Sequence, residues 1–113
     1  MTQMTAYTAP GIKRHKKKET MELFIKDASE FLEVTVEHLK SKDRKHSIVR
    51  ARHMIMSMLR TKNYSFKEIS EYLGGRDHTT ALHAIKSVKN QCETDESYMY
   101  QYKALCSYIN RGF

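Results

Sequence analysis

The chain has 113 residues, 40% hydrophobic and 29% charged, which is ordinary for one soluble globular domain. Its formal net charge of +7 indicates an anionic partner, and the charge is concentrated: residues 13–18 hold five Lys or Arg, and residues 40–62 hold eight against one Asp. No apolar run is long enough to span a membrane, and the basic N-terminus lacks the apolar stretch of a secretory signal.

The first 18 residues contain nothing that can form a core. They combine Thr, Ala, the only proline and the basic run. We therefore expect a basic, disordered tail over residues 1–18 and a helical domain over residues 19–113. The tail is either simply solvated or binds phosphates without sequence preference, and the two readings are compatible.

Helical periodicity begins at Thr20. A stripe with spacings of three and four predicts a first helix, and Thr35 is placed to cap a short second one. Residues 40–46 are too polar to pack and predict an exposed loop. The stripe of the first helix is Met21, Phe24, Ile25, Ala28, Phe31 and Leu32.

A third helix is predicted from Ile48 to about Lys62, with Ser47 as its cap. Its apolar stripe, flanked by Met54 and Met56, predicts a core helix rather than a methionine-rich binding groove. The basic side chains off the stripe are free to reach phosphates. They are Arg50, Arg52, His53 and Arg60.

The segment from Ser65 to about Cys92 reads as a helix-turn-helix. Ser65 and Glu68 have capping-box spacing at the start of the first helix, and Gly74 is suited to end it. Asp77 can cap the second helix, which begins with hydrogen-bonding side chains where such helices touch base edges. A last helix capped by Thr94 completes an all-α fold of about six helices.

Two stretches carry a family resemblance. The longer one reads Gly74-Gly75-Arg76-Asp77-His78-Thr79-Thr80-Ala81-Leu82-His83-Ala84, and the other is the basic stretch over residues 41–47. Both resemble the C-terminal DNA-binding domain (domain IV) of the bacterial replication initiator DnaA, over residues 28–84 and more loosely beyond. The resemblance implies a helix-turn-helix domain with a Trp repressor-like fold. The ATPase domain of DnaA has no counterpart here.

The resemblance also implies a set of DNA-contacting residues. Base contacts fall on Asp77, His78, Thr79 and Thr80 in the major groove and on Arg44 in the minor groove, where the potential is most negative. Side chains that contact the backbone or groove position the protein without specifying sequence. These are Lys42, Lys45, Arg50, Arg52, Arg60, Ser65, Lys67, Arg76, His83 and Lys86.

Several residues depart from the family pattern. Asp43 and His46 stand where the loop is usually basic, and Ala51 stands where the long helix often has proline. Lys67 replaces a proline common before the Glu-Ile pair, near the groove. These departures put the base preference and the backbone affinity in question.

The sequence does not indicate an enzyme, because the residues that the common catalytic motifs require are missing. Four glycines, at positions 11, 74, 75 and 112, cannot make a phosphate-binding loop, and no zinc-binding spacing is present. We expect no catalysis, cofactor, metal or nucleotide. Cys92 and Cys106 fall beside apolar neighbours and suit free thiols in a reducing cytoplasm.

The sequence therefore predicts a monomeric, nucleoid-associated protein of the cytoplasm that binds double-stranded DNA at DnaA-box-like sites. Its role lies in replication-origin control or transcription regulation. Two alternatives stay open: an adaptor that binds a replication partner through the tyrosine-rich last helix, and a generic RNA-binding basic domain.

Overall fold

The computed structural model describes residues 10–111, with side chains over residues 18–111. This part of the chain forms six α-helices and no strand. The prediction of an all-α fold with about six helices is confirmed. The helices are α1 Pro10–Leu32, α2 Val36–Lys40, α3 His46–Thr61, α4 Phe66–Tyr72, α5 His78–Thr94 and α6 Glu96–Asn110.

Helix α1 begins within the predicted tail. The sequence predicts a disordered tail over residues 1–18, whereas residues 10–18 belong to α1, which begins at Pro10. Proline suits the first turn because its missing amide has no partner there, and lysine is a good helix former. The helix therefore extends beyond its apolar stripe. Residues 1–9 lie outside the described residues.

Two of the predicted caps are wrong by one or two residues. Helix α3 begins at His46 with Lys45 as its N-cap, which makes no side-chain bond, so Ser47 is not the cap. Helix α6 is capped by Asp95, whose carboxylate accepts from the amide of Tyr98 at 3.2 Å. Thr94 instead donates its hydroxyl to the carbonyl four residues earlier, which keeps it in the last turn of α5.

Helix α3 forms the centre of the fold and contacts α1, α2, α4 and α5. Its stripe is buried, and Met54, Met56 and Met58 have no exposed surface, which confirms them as core. Helix α6 contacts α1 and α5 and buries Tyr98. Helix α5 packs on α3 and also contacts α4. The core therefore holds the two-helix unit formed by α4 and α5, while the first turn of α5 faces solvent.

Candidate nucleic-acid interface

Helix α4 starts with a complete capping box. The hydroxyl of Ser65 accepts from the amide of Glu68 at 3.0 Å, and the Glu68 carboxylate accepts from the Ser65 amide at 2.8 Å. The predicted cap is confirmed. Because the Ser65 side chain is exposed and its oxygen acts here as acceptor, its hydroxyl proton is available to a phosphate.

Two glycines make the turn between α4 and α5. Gly74 has a φ of 98° and Gly75 a φ of 67°, a region that side-chain-bearing residues rarely adopt. The amides of Gly75 and Arg76 return to the last turn of α4, at 3.1 Å from the Glu71 carbonyl and 2.9 Å from the Ser70 carbonyl. A Cβ on Gly74 would collide with the carbonyl oxygen of Lys40. The turn is therefore packed against the end of α2.

Helix α5 begins as the sequence predicts, with Asp77 as its N-cap. The Asp77 carboxylate accepts from the amide of Thr79 at 3.2 Å and lies 3.2 Å from Nδ1 of His78. The Thr79 amide, helped by the neighbouring His78, holds the pKa of the Asp77 carboxyl below its ordinary value. Asp77, His78 and Thr79 are exposed, and Thr80 is half-buried. The first turn of α5 thus presents polar side chains to solvent.

Asp77→Ala is expected to lower the thermal unfolding midpoint at neutral pH, because the first turn of α5 loses its acceptor. The depressed pKa means that the ionised Asp77 stabilises the fold above its ordinary pKa of 3.8 and stops doing so as the pH falls through the lowered value. The difference between the variant and the wild type should therefore shrink in acid. Asp77→Asn is the control, since asparagine caps without charge. Equal neutral midpoints for Ala and wild type would contradict this assignment.

Arg52 lies beneath the basic loop, by which we mean residues 41–45. Its guanidinium donates to the carbonyls of Leu39 at 2.9 Å, of Ser41 and Asp43 at 3.1 Å and of His38 at 3.2 Å. Only 6% of its surface is exposed, and burial, followed by the nearby Arg76, lowers its pKa. The structure gives Arg52 a role other than the predicted phosphate contact, because Nε and Nη2 are bonded inside the protein and little of its surface is exposed.

Two further arginines have partners other than solvent. Arg76 donates from Nε to the Leu73 carbonyl at 2.9 Å and from Nη2 to the Ser41 carbonyl. Arg50 binds the side-chain oxygen of Gln101 through two nitrogens, at 2.9 and 2.8 Å, and stacks over the Tyr98 ring. The structure thus directs Arg76 to the basic loop and Arg50 to α6. Neither stays among the phosphate contacts that we propose.

The remaining predicted contacts are at the surface. Arg60 is exposed, although it donates to the Tyr64 carbonyl at 3.0 Å and stacks on Phe66 at the start of α4. The other exposed side chains among the predicted contacts are Lys42, Arg44, Lys45, Lys67, His83 and Lys86. They belong to the basic loop and the helix-turn-helix, and their contacts with DNA stay predictions.

Two residues that carry no predicted role shape the basic loop, Ser41 and Asp43. The Asp43 carboxylate accepts from the Lys45 amide at 2.8 Å, and the Ser41 hydroxyl accepts from the Asp43 amide at 3.1 Å. Such local bonds are typical of Ser and Asp in turns, so the Ser-x-Asp spacing was a usable signal. Asp43 therefore has a structural role in a loop that is otherwise basic.

Comparison with known proteins identifies the two-helix unit. A family model described as "Bacterial dnaA protein helix-turn-helix" matches residues 21–88, which is more than half of the chain. The chain belongs to this DnaA helix-turn-helix family. The match covers α4, the glycine turn and most of α5, so the predicted resemblance is confirmed.

Two relatives and one solved structure extend the DnaA comparison. The chromosomal replication initiator DnaA of Porphyromonas gingivalis, from strains ATCC 33277 and W83, is 35% identical over 89 residues in each case. The alignment covers 78% of this chain but 19% of the initiator, so the chain spans about a fifth of that relative's length. The crystal structure of a DNA replication initiation factor has a TM-score of 0.73 at 24% identity, over 88% of this chain and 32% of that one. This likeness supports the DnaA-like fold.

Within residues 10–111 no three His, Cys, Asp or Glu side chains gather as a metal site. No helix in the same range is both long and apolar enough to cross a bilayer. Cys92 and Cys106 are free thiols, each half-buried.

Proposed function

We propose that the chain is a non-catalytic domain that binds double-stranded DNA sequence-specifically at DnaA-box-like sites. In this proposal α5 enters the major groove, where Asp77, His78, Thr79 and Thr80 meet base edges. Arg44 reaches the adjacent minor groove. The protein binds no nucleotide, acts as a monomer near the nucleoid, and takes part in replication-origin control or transcription regulation.

One observation carries the proposal. The exposed first turn of α5 lies beside the basic loop, because Arg76, the residue before the Asp77 cap, is bonded to the Ser41 carbonyl of that loop. The polar first turn of α5 and the exposed cations of the basic loop therefore lie near each other. A recognition helix flanked by a basic loop is suited to reading one groove while neutralising phosphates at its edge.

The basic run over residues 13–18 has a secondary place in the proposal. Its five Lys or Arg add affinity through counterion release, without sequence preference. The side chains of residues 10–17 lie outside the described part of the chain, so this role rests on charge alone.

Selection of bound sequences from random duplex DNA tests the proposal against its alternatives. Enrichment of a defined motif is expected. No enrichment would support a protein-interaction adaptor, and preference for single-stranded RNA would support an RNA-binding domain. The same selection with ATP or ADP present should return the same motif, because we expect no nucleotide site.

Thr79→Ala should weaken binding to the selected sequence by roughly 1–3 kcal/mol, the usual value of a base contact, and leave scrambled duplex unaffected. Thr79 is exposed, so the fold should be unchanged. Titrations on both duplexes measure the ratio of specific to non-specific affinity. Lys45→Ala is the matched control and should weaken both duplexes alike. An unchanged ratio for Thr79→Ala would mean that α5 does not read bases at this position.

A further inference from the structure

Two arginines from different parts of the chain share one acceptor in the basic loop. Arg52 of α3 donates to the carbonyl of Ser41 at 3.1 Å, and Arg76 of the glycine turn donates to the same oxygen. Arg52 also holds the carbonyl of Asp43, the residue before Arg44. The backbone on the N-terminal side of Arg44 is therefore bonded to the core helix and, through Arg76, to the start of α5.

We propose that Arg52 and Arg76 are positioning residues for DNA recognition. They touch no DNA; they hold the basic loop so that Arg44 reaches the minor groove while α5 lies in the major groove. This inference rests on the proposed function. The sequence predicts phosphate contacts for both arginines. In this inference they instead contribute to specificity from inside the protein, by holding the basic loop.

The bonding pattern favours this role over general stabilisation of the fold. Arg52 bonds α2 through the carbonyls of Leu39 (from Nε) and His38 (from Nη2). Nη2 also reaches into the loop, to the carbonyls on both sides of Lys42. A planar guanidinium has several donors in fixed directions, which lets one side chain set the path of a loop. A loop ordered before binding loses less conformational freedom when its side chains meet DNA.

The close packing of the glycine turn supports the same conclusion. Gly74 leaves no room for a Cβ against the Lys40 carbonyl, directly before the loop. The loop is therefore held against the helix-turn-helix at Lys40 by packing and at Ser41 by hydrogen bonding. Arg44 itself is exposed, so its guanidinium is presented by this framework to solvent.

Coupling between Arg52 and Arg44 tests the inference. In the otherwise wild-type chain, Arg44→Ala should reduce affinity for the selected duplex by about tenfold or more. In an Arg52→Met background the loop is no longer held, so Arg44→Ala should have less than about a twofold further effect. Thr79→Ala should keep its full effect in both backgrounds, because α5 retains its cap and its packing.

Arg50→Met is the matched control. It removes a guanidinium from the same helix, but one that is bonded to Gln101 of α6, so Arg44→Ala should keep its full effect in this background. Arg76→Met repeats the cycle with a half-buried side chain and decides the question if Arg52→Met does not fold. A thermal melt is measured for each variant, and all titrations are made well below the lowest of the unfolding midpoints.

The outcomes separate this inference from the proposed function. If the wild-type chain selects no sequence, the proposed function fails before coupling is measured. If it selects a motif but Arg44→Ala acts equally in the wild-type, Arg52→Met and Arg76→Met backgrounds, the positioning role is overturned. Loss of the Arg44 effect in both arginine variants, with the Thr79 effect kept, supports it.

Discussion

Raising the salt concentration from 50 to 200 mM is expected to weaken DNA binding on the order of 10³-fold. About six phosphates neutralised by the protein would give this loss, because each releases condensed counterions. The structure leaves a matching set of exposed cations around the helix-turn-helix and the basic loop. They are Lys42, Arg44, Lys45, Arg60, Lys67 and Lys86.

Fluorescence anisotropy over a salt series gives the slope of log affinity against log salt, and two variants calibrate it. Lys45→Ala should make the slope shallower by about 1, the contribution of one phosphate contact. Arg50→Met should leave the slope unchanged, because that guanidinium is bonded to Gln101 and stacked on Tyr98. A flat response for the wild type would rule out a phosphate-binding surface of this size.

Gly74→Ala is expected to destabilise the fold by roughly 3 kcal/mol or more. A non-glycine residue at a strained backbone conformation costs on the order of 1–3 kcal/mol. At Gly74, with a φ of 98°, the new methyl would also meet the backbone carbonyl of Lys40, which cannot move as a side-chain tip can. The substitution therefore either separates the turn from α2 or distorts both.

Gly75→Ala provides the comparison for this prediction. Gly75 also has a positive φ, 67°, but a Cβ added there would meet no atom within 4 Å. Its substitution should cost roughly 1–2 kcal/mol, the value of the backbone conformation alone. Denaturant melts of the two variants measure the difference. Equal losses would show that the contact with Lys40 adds nothing to stability.

The sequence predicts the helices and the glycine turn well because their signals are local. Spacings of three and four identify the buried stripes, and the capping residues Thr35, Ser65 and Asp77 all accept the expected amides. The misassigned caps show the limit of such signals. Thr94 and Asp95 are adjacent and both suited to capping; in the structure Asp95 accepts the Tyr98 amide, while the Thr94 hydroxyl bonds the Asn90 carbonyl.

The candidate site was harder to predict than the fold because a basic residue gives no sign of where its charge is used. Arg52 and Arg60 both lie off the stripe of α3, yet one is buried under the basic loop and the other is exposed. The difference depends on carbonyls that α2 and the loop bring over α3, which is a tertiary contact. Periodicity cannot report it, and the family resemblance does not reveal it for this chain.

The buried methionines of α3 also provide a chemical measure of unfolding. Met54, Met56 and Met58 have no exposed surface, so peroxide reaches their thioethers only when the core opens. The half-buried Met99 of α6 serves as an internal reference for peroxide reactivity. Mass spectrometry of the sulfoxides in a peroxide pulse then reports how often the centre of the protein opens, with and without duplex, and needs no label or substitution.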